Sequence, residues 1–253
     1  MIRISAVILT LNEEKNIERC IRSLEGVADD IVVVDSFSVD KTQELCERSA
    51  VRFIQHRFEG YIEQKNWAVT QAVNPYVLSL DADEALSPEL KKSIIHIKEN
   101  WDADGYYFNR LTNYCGKWIK HCGWYPDRKL RLWNSKKGRW TGINPHDRYV
   151  LDPGCTEKFL EGDLFHYSYY SIYQHTEQAN KFSEILAREY FNMGKKFNLL
   201  DIITKPVWKF IHSYLLNAGF IDGYYGFVIC IISAHATFLK YVKTRQLFKE
   251  SIK

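Results

Sequence analysis

The sequence predicts an α/β fold on a mostly parallel central sheet, followed by a helical C-terminal extension. Three observations predict it. Short apolar runs alternate with segments of helical spacing through the first hundred residues, the order expected of parallel strands joined by helical crossovers. The run Ile31-Val32-Val33-Val34 is continuously apolar, as a strand covered on both faces is. From Ile172 onward helical spacing dominates.

Each element has its own signal. Ser5 to Thr10 is an apolar strand, and Lys15 to Leu24 sets Ile17, Cys20, Ile21 and Leu24 at helical spacing. Ile31 to Asp35 is the second strand. Asp40 can cap a helix running to about Ser49. Val51 to Ile54 is a short third strand, Tyr61 to Ala72 a helix, and Tyr76 to Leu80 a buried strand. Ser87-Pro88 opens another helix, a cap followed by proline in the first turn. Ligands of such sheets bind beyond the carboxyl ends of the strands, where Thr10, Asp35 and Asp81 are all predicted to lie. The middle, roughly Gly105 to His166, is rich in Trp, Tyr, Gly and His, with strand-like pieces at Tyr106-Tyr107-Phe108 and Leu130-Arg131-Leu132-Trp133. Helix returns at Ile172 to Met193, with Glu184 and Arg188 as an i,i+4 pair.

The 253 residues suffice for one large α/β domain with an extension. A net charge of +3 does not indicate a nucleic-acid partner. The charge is uneven, with nine bases against three acids from Lys195 onward. The six cysteines show no C-x-x-C spacing, which reads as reduced thiols of a cytosolic protein and not as a zinc pattern. No signal peptide precedes the first strand. The longest apolar run, Phe227 to Ile232, falls short of the roughly 20 residues of a spanning helix. In Ile203 to Leu215, residues Ile203, Val207, Phe210, Ile211 and Tyr214 share one helical face and Lys205, Lys209 and His212 the opposite one. That pattern suits a helix packed on its own domain with a solvated basic side. It also suits a face laid on an anionic membrane, which the apolar stretch Gly223 to Tyr241 favours.

The chemistry-bearing feature is Asp81-Ala82-Asp83, which closes the Tyr76 strand. Two carboxylates one residue apart at a strand end can face a hard divalent cation, and such a cation can clamp a diphosphate that leaves with negative charge. An acidic triplet alone is common in solvated loops; its position after a strand separates it from those. Neither G-x-x-x-x-G-K-[ST] nor G-x-G-x-x-G occurs, so a glycine loop cradling phosphate is not the mode used.

An ordered set of segments accompanies the triplet: Val7-Ile8-Leu9-Thr10-Leu11-Asn12-Glu13-Glu14, Val32-Val33-Val34-Asp35-Ser36 with Asp40-Lys41-Thr42, and Gly60-Tyr61 with Gln64-Lys65-Asn66. Leu80-Asp81-Ala82-Asp83-Glu84, Gly123-Trp124-Tyr125-Pro126-Asp127, Arg131-Leu132-Trp133, His166-Tyr167 and Phe220-Ile221-Asp222-Gly223 follow. Together they resemble the family 2 glycosyltransferases of GT-A (nucleotide-diphospho-sugar transferase) fold, closest to the branch of lipopolysaccharide core β-1,4-glucosyltransferases. The resemblance covers nearly the whole chain. One departure stands out: where that branch commonly shows Val-His-Glu, this chain has Pro145-His146-Asp147, a carboxylate shortened by one methylene.

The resemblance implies an inverting, metal-dependent transfer of a hexose, most readily glucose, from a UDP-sugar to a lipid-anchored glycan such as the lipopolysaccharide inner core. The place would be the cytoplasmic face of a bacterial inner membrane. It implies Asp83 and His166 as ligands of Mg²⁺ or Mn²⁺ and Asp81 on the nucleotide sugar. Thr10, Asn12 and Glu13 would cradle the nucleoside, Asp35 would accept from the uracil N3–H or the ribose, and Lys65 would meet the base or the phosphates. Inverting transfer needs a base within hydrogen-bond reach of the acceptor hydroxyl. Asp147 is that base, with His146 orienting it or binding acceptor, and Asp127 is the alternative. Trp124 and Tyr125 offer flat faces to a sugar, and Arg128 and Arg131 offer donors to an acceptor phosphate. The expected division is a GT-A domain over 1–170, with a nucleotide-sugar half (1–100) and an acceptor half (101–170), and a helical, membrane-associated extension over 171–253. Two other functions stay open: the same enzyme acting on polyprenyl phosphate or on a capsule or protein glycan, and a non-catalytic module binding nucleotide or glycan at a membrane surface.

Overall fold

Four parallel strands carry the site: β1 (Ile4–Thr10), β2 (Asp30–Asp35), β3 (Arg52–Gln55) and β4 (Tyr76–Asp81), in the order β3-β2-β1-β4. The structure is a computed structural model and describes residues 1–143 and 146–251, with His146 described for its backbone alone. Side chains alternate across a strand, and both faces here are covered. Ile4, Ala6 and Ile8 of β1 join Val33, Leu78 and Leu80 in one core. Val7 joins Val32, Val34 and Val77 in the other.

Helices cover these faces where the spacing places them. α1 (Ile17–Ser23) buries Ile17, Cys20 and Ile21, and α2 (Thr42–Glu47) buries Cys46. Asp40 lies one residue outside the α2 cap position, yet its carboxylate accepts from the Thr42 N–H at 3.0 Å. α3 (Tyr61–Val69) buries Ala68 and, on the same inner side, Gln64 and Lys65. α4 (Pro88–Glu99) opens as expected: the Leu90 N–H donates to Ser87 Oγ at 3.1 Å, with Pro88 in the first turn.

The middle of the chain extends the same sheet with antiparallel strands. They are β5 (Glu84–Leu86), β6 (Gly105–Tyr114), β7 (Lys117–Ile119) and β8 (Asp127–Asn134), while β9 (Gly138–Ile143) and β10 (His146–Leu151) form a separate pair. β8 lies against β4 with Trp133 opposite Val77. β6, β11 (Glu157–Tyr169) and β5 continue the order outward, β5 antiparallel to β11. Trp133 stacks on Tyr149 at 3.7 Å between ring centroids, inside the second core.

The chain divides into two compact units. The first comprises Met1–Leu111, Asp127–Gly142 and His146–Tyr167; the second contains Thr112–Pro126 and residues from Ser168 onward. Residues 112–126, expected in the acceptor half, group with the C-terminal helices in this division. They do so because Tyr114, Ile119 and Cys122 share a core with Ile229 and Cys230. The helices are α5 (Ile172–Asn192), α6 (Leu199–Ile211) and α7 (Gly223–Glu250), and α7 packs on both others. A Cβ on Gly226 would lie 2.0 Å from the Gly219 carbonyl oxygen, so only glycine fits where the start of α7 meets the preceding turn. All six cysteines are free thiols.

Candidate active site

Register brings the strand ends together. Thr10 of β1 pairs with Asp35 of β2, and Leu9 pairs with Asp81 of β4. The loops beyond are stapled to each other. Asn12, in the left-handed region at φ 56°, donates its N–H to Ser38 Oγ at 2.7 Å and accepts from the Val39 N–H at 2.8 Å. The Glu13 N–H donates to Thr42 Oγ1 at 2.8 Å. Asp35 is fully buried and accepts from the Ser38 N–H at 2.9 Å, from the Ser38 hydroxyl, and from Gln55 Nε2 at 3.3 Å. Thr10 Oγ1 is buried with no partner among the described residues. Buried polar atoms are otherwise nearly always satisfied, so this hydroxyl is suited to meeting a ligand.

Next to this edge, carboxylates and cations alternate. Lys65 Nζ stands 2.7 Å from Asp147 Oδ2 and 3.6 Å from Asp81 Oδ1. Arg131 bonds the other Asp81 oxygen at 3.1 Å and Glu84 Oε1 at 3.1 Å. Glu84, fully buried, also accepts from Arg110 at 3.3 Å and, through Oε2, from the Asp81 N–H at 2.9 Å. Arg110 goes on to pair with Asp127 at 2.8 Å, and Asp127 with Lys129 at 2.9 Å. Burial would raise the Asp81 pKa, but Lys65, Arg131 and Arg110 outweigh it and hold the carboxyl well below the usual range. Uncompensated buried charge costs several kcal/mol, which accounts for the strict pairing.

On the far side of the triplet, Asp83 Oδ2 lies 3.1 Å from His166 Nε2. β11 sets this contact: His166 is registered with Glu84, and the Tyr167 N–H donates to the Asp83 carbonyl at 2.8 Å. Burial opposes ionisation of Asp83, and the His166 ring more than offsets it, lowering the pKa. Glu13 shows the opposite balance: burial first, then the charge of Asp83, push its pKa up to about 7. No group of three or more His, Cys, Asp or Glu able to hold a metal occurs among the described residues. A carboxylate and an imidazole nitrogen are ordinary ligands, and a hard cation that prefers six can take the rest from a diphosphate and water. The pair Asp83–His166 thus fits an ion shared with a substrate, not a closed protein cage.

The structure gathers Thr10, Asn12, Glu13, Asp35, Lys65, Asp81, Asp83, Asp147 and His166 in the first unit. The residues expected to meet the acceptor lie apart from one another, in the two units. Arg131 is 4% exposed, and its Nη2 pairs with both Asp81 and Glu84, which positions the triplet. Trp124 belongs to the second unit, where its half-buried ring packs among Tyr114, Tyr169 and His175. Tyr125 lies in the second unit as well. Arg128 is exposed and stands 5.8 Å from the Tyr107 ring centroid. The His146 side chain lies outside the described residues. Sequence reasoning missed Glu84 and Arg110. The signal for Glu84 was its place directly after the triplet, an acid entering a buried strand.

The chain is similar in sequence to known glycosyltransferases. Residues 5–151 match the family described as Glycosyl transferase family 2. An uncharacterized glycosyltransferase of Rickettsia typhi is 34% identical over 261 residues, spanning 99% of this chain and 89% of the relative. The lipopolysaccharide core biosynthesis glycosyltransferase LpsC of Rhizobium meliloti is 29% identical over 254 residues, spanning 96% of this chain and 92% of LpsC. Glucosyl-3-phosphoglycerate synthase from Mycobacterium tuberculosis, solved with Mn²⁺, UDP and glucosyl-3-phosphoglycerate, shares 21% identity over 44% of each chain at a TM-score of 0.38. The family match over more than half the chain, and relatives aligned along nearly all of it, show that this α/β chain of GT-A fold is a glycosyltransferase and belongs to family 2.

Proposed function

We propose that the enzyme transfers a hexose, glucose foremost, from a UDP-sugar to a hydroxyl of a lipid-anchored glycan such as the lipopolysaccharide inner core, with inversion at the anomeric carbon. The observation that carries this reading is the Asp83–His166 pair beside Asp81 at the carboxyl edge of the sheet. Asp83 and His166 would hold Mg²⁺ or Mn²⁺, which when bound offsets charge on a departing diphosphate. Thr10, Asn12, Glu13 and Asp35 line the neighbouring edge as the nucleoside side of the donor site.

The acceptor hydroxyl gives its proton to Asp147 as its oxygen bonds to the anomeric carbon. The bond from that carbon to the diphosphate breaks on the opposite face, and UDP leaves with the electron pair. A single displacement of this kind turns an α-linked donor into a β-linked product. Lys65 Nζ holds one Asp147 carboxylate oxygen at 2.7 Å. The diphosphate offers that ammonium a second anionic partner, so donor binding frees the base. The LpsC relative supports a core-glycan acceptor, and the basic, apolar C-terminal segment supports work at the cytoplasmic face of a bacterial inner membrane.

Asp83→Ala tests the reading. Transfer with Mn²⁺ present should fall at least about 100-fold, the scale of losing one preorganised electrostatic stabiliser, while circular dichroism stays native. Near-wild-type turnover in that variant defeats the assignment. Transfer onto polyprenyl phosphate, with none onto a heptose-containing core, would move the acceptor and leave the donor chemistry intact.

A further inference from the structure

In the second unit the apolar side chains of α6 point outward. Leu199, Leu200, Ile203, Val207 and Trp208 are each more than half exposed, and Ile202 is the one buried residue of the helix. α7 carries a matching stripe, Tyr224, Phe227, Ile231 and Phe238, all exposed and spaced by three, four and seven residues, which keeps them on one helical face. The stripes are continuous: Ile203 and Val207 line one side of a groove of about 480 Å³ whose other side is Ile231 and Phe238. A soluble monomer rarely leaves so long a contiguous apolar surface uncovered. Lys205 and Lys209 are exposed on α6. With Lys195 and Lys196 they belong to the segment with nine bases and three acids, which complements anionic headgroups. Trp208 couples an apolar ring to a polar N–H, the combination favoured at a membrane interface.

Residues Gly219–Glu250 are long and apolar enough, by length and composition, to cross a membrane. The packing of α7 argues otherwise. Lys243 donates to Asn180 Oδ1 at 2.8 Å and Ser183 Oγ at 2.9 Å and pairs with Glu184 at 3.7 Å, so the charged helix α5 lies along its C-terminal half. Crossing would drag Glu184 and Arg188 into hydrocarbon, where charge is strongly disfavoured. The outward apolar stripe from Tyr224 to Phe238 rises only about 22 Å, less than the ~30 Å hydrocarbon core.

We propose that α6 and the first half of α7 form an in-plane insertion face. It sits in one leaflet of an anionic bilayer, with lipid acyl chains in the groove and Trp208 and the lysines at headgroup level. The proposal rests on the proposed function in one respect, that a lipid-anchored acceptor gives the enzyme a reason to be there; its physical basis is the second unit alone.

The test is flotation of the full chain with vesicles of phosphatidylglycerol and phosphatidylethanolamine, against vesicles of phosphatidylcholine. The wild type should float with the anionic vesicles, and Ile203→Asp with Val207→Asp should cut the bound fraction at least tenfold. Lys205→Glu with Lys209→Glu should abolish the preference for anionic vesicles. Trp208 emission, isolated by subtracting the Trp208→Phe signal, should be quenched more by lipids brominated near the headgroup than at the chain ends. Flotation unchanged in the double aspartate variant overturns the proposal. So does wild-type protein that ignores vesicles and forms a dimer through this face. Protection of a C-terminal tag from protease added outside sealed vesicles would mean that α7 crosses, and overturns the in-plane placement. UDP-glucose hydrolysis, followed in the same samples, reads the donor site separately. Retained hydrolysis without flotation overturns the membrane face alone, and flotation without hydrolysis overturns the catalytic reading alone.

Discussion

Glu84 shows how the charges of the site depend on one another. Its buried carboxylate accepts from two guanidiniums and from the Asp81 N–H, so it fixes both the position and the field of Asp81. Glu84→Gln removes the charge and leaves Arg110 and Arg131 short of a partner. A loss of about 3–5 kcal/mol is expected, read from urea midpoints, together with reduced kcat/KM through a displaced Asp81. Substitution also separates the two base candidates. Asp147→Asn should lower transfer by about 10²–10⁴-fold while Mn²⁺–UDP binding, followed by calorimetry, survives; Asp127→Asn should cost less than about tenfold. The larger loss falling on Asp127 would reverse the assignment. The paired aspartates were legible in the sequence because they end an apolar run. The role of Arg131 was not, because it depends on β8 lying beside β4, strands about 50 residues apart whose pairing no local pattern encodes.

At the scale of elements, periodicity and caps carried most of the information. The parallel strands, the Ser87 cap and α5 lie where spacing puts them, because both covered faces and helix starts leave local marks. What spacing leaves open is direction. Ile203 and Val207 share a helical face in any structure, but whether that face looks inward depends on what packs there, and α6 turns it outward. α5 offers an element-level test. His175 is buried near its N-terminus, bonded to the Tyr114 hydroxyl at 3.0 Å, and burial pushes its pKa down to about 4. A histidine whose folded pKa lies below its unfolded value of about 6.5 resists protonation in the native state. Stability from this group is therefore full above pH 6.5 and falls as pH drops toward 4, by up to about 3 kcal/mol. Denaturation of the second unit followed at pH 7.5 and pH 4.5 should show that decline, and His175→Gln should flatten it.

At the scale of the molecule, each unit has its own core: residues 112–126 and the C-terminal helices on one hand, the two faces of the sheet on the other. Nothing local marks 112–126 as part of the second unit. Their partners come about a hundred residues later, where Asp222 accepts from the His121 N–H at 2.8 Å and Lys117 donates to the Asp222 carbonyl at 2.6 Å. Separate cores predict separate unfolding transitions, and only one of them contains Asp81, Asp83 and His166. Ligand that binds the native state alone adds stability by mass action, about 2.7 kcal/mol at a hundred times Kd. For a unit of this size that corresponds to a rise of about 5–10 °C in its midpoint. Calorimetry with Mn²⁺ and UDP together should move the transition of the first unit by that amount and leave the other in place. Either ligand alone should do much less, because the ion needs the diphosphate to complete its shell and the diphosphate needs the ion to offset its charge. In Asp83→Ala the joint shift should vanish. A shift that persists there, or that appears in the transition of the helical unit, would place the nucleotide away from the paired aspartates.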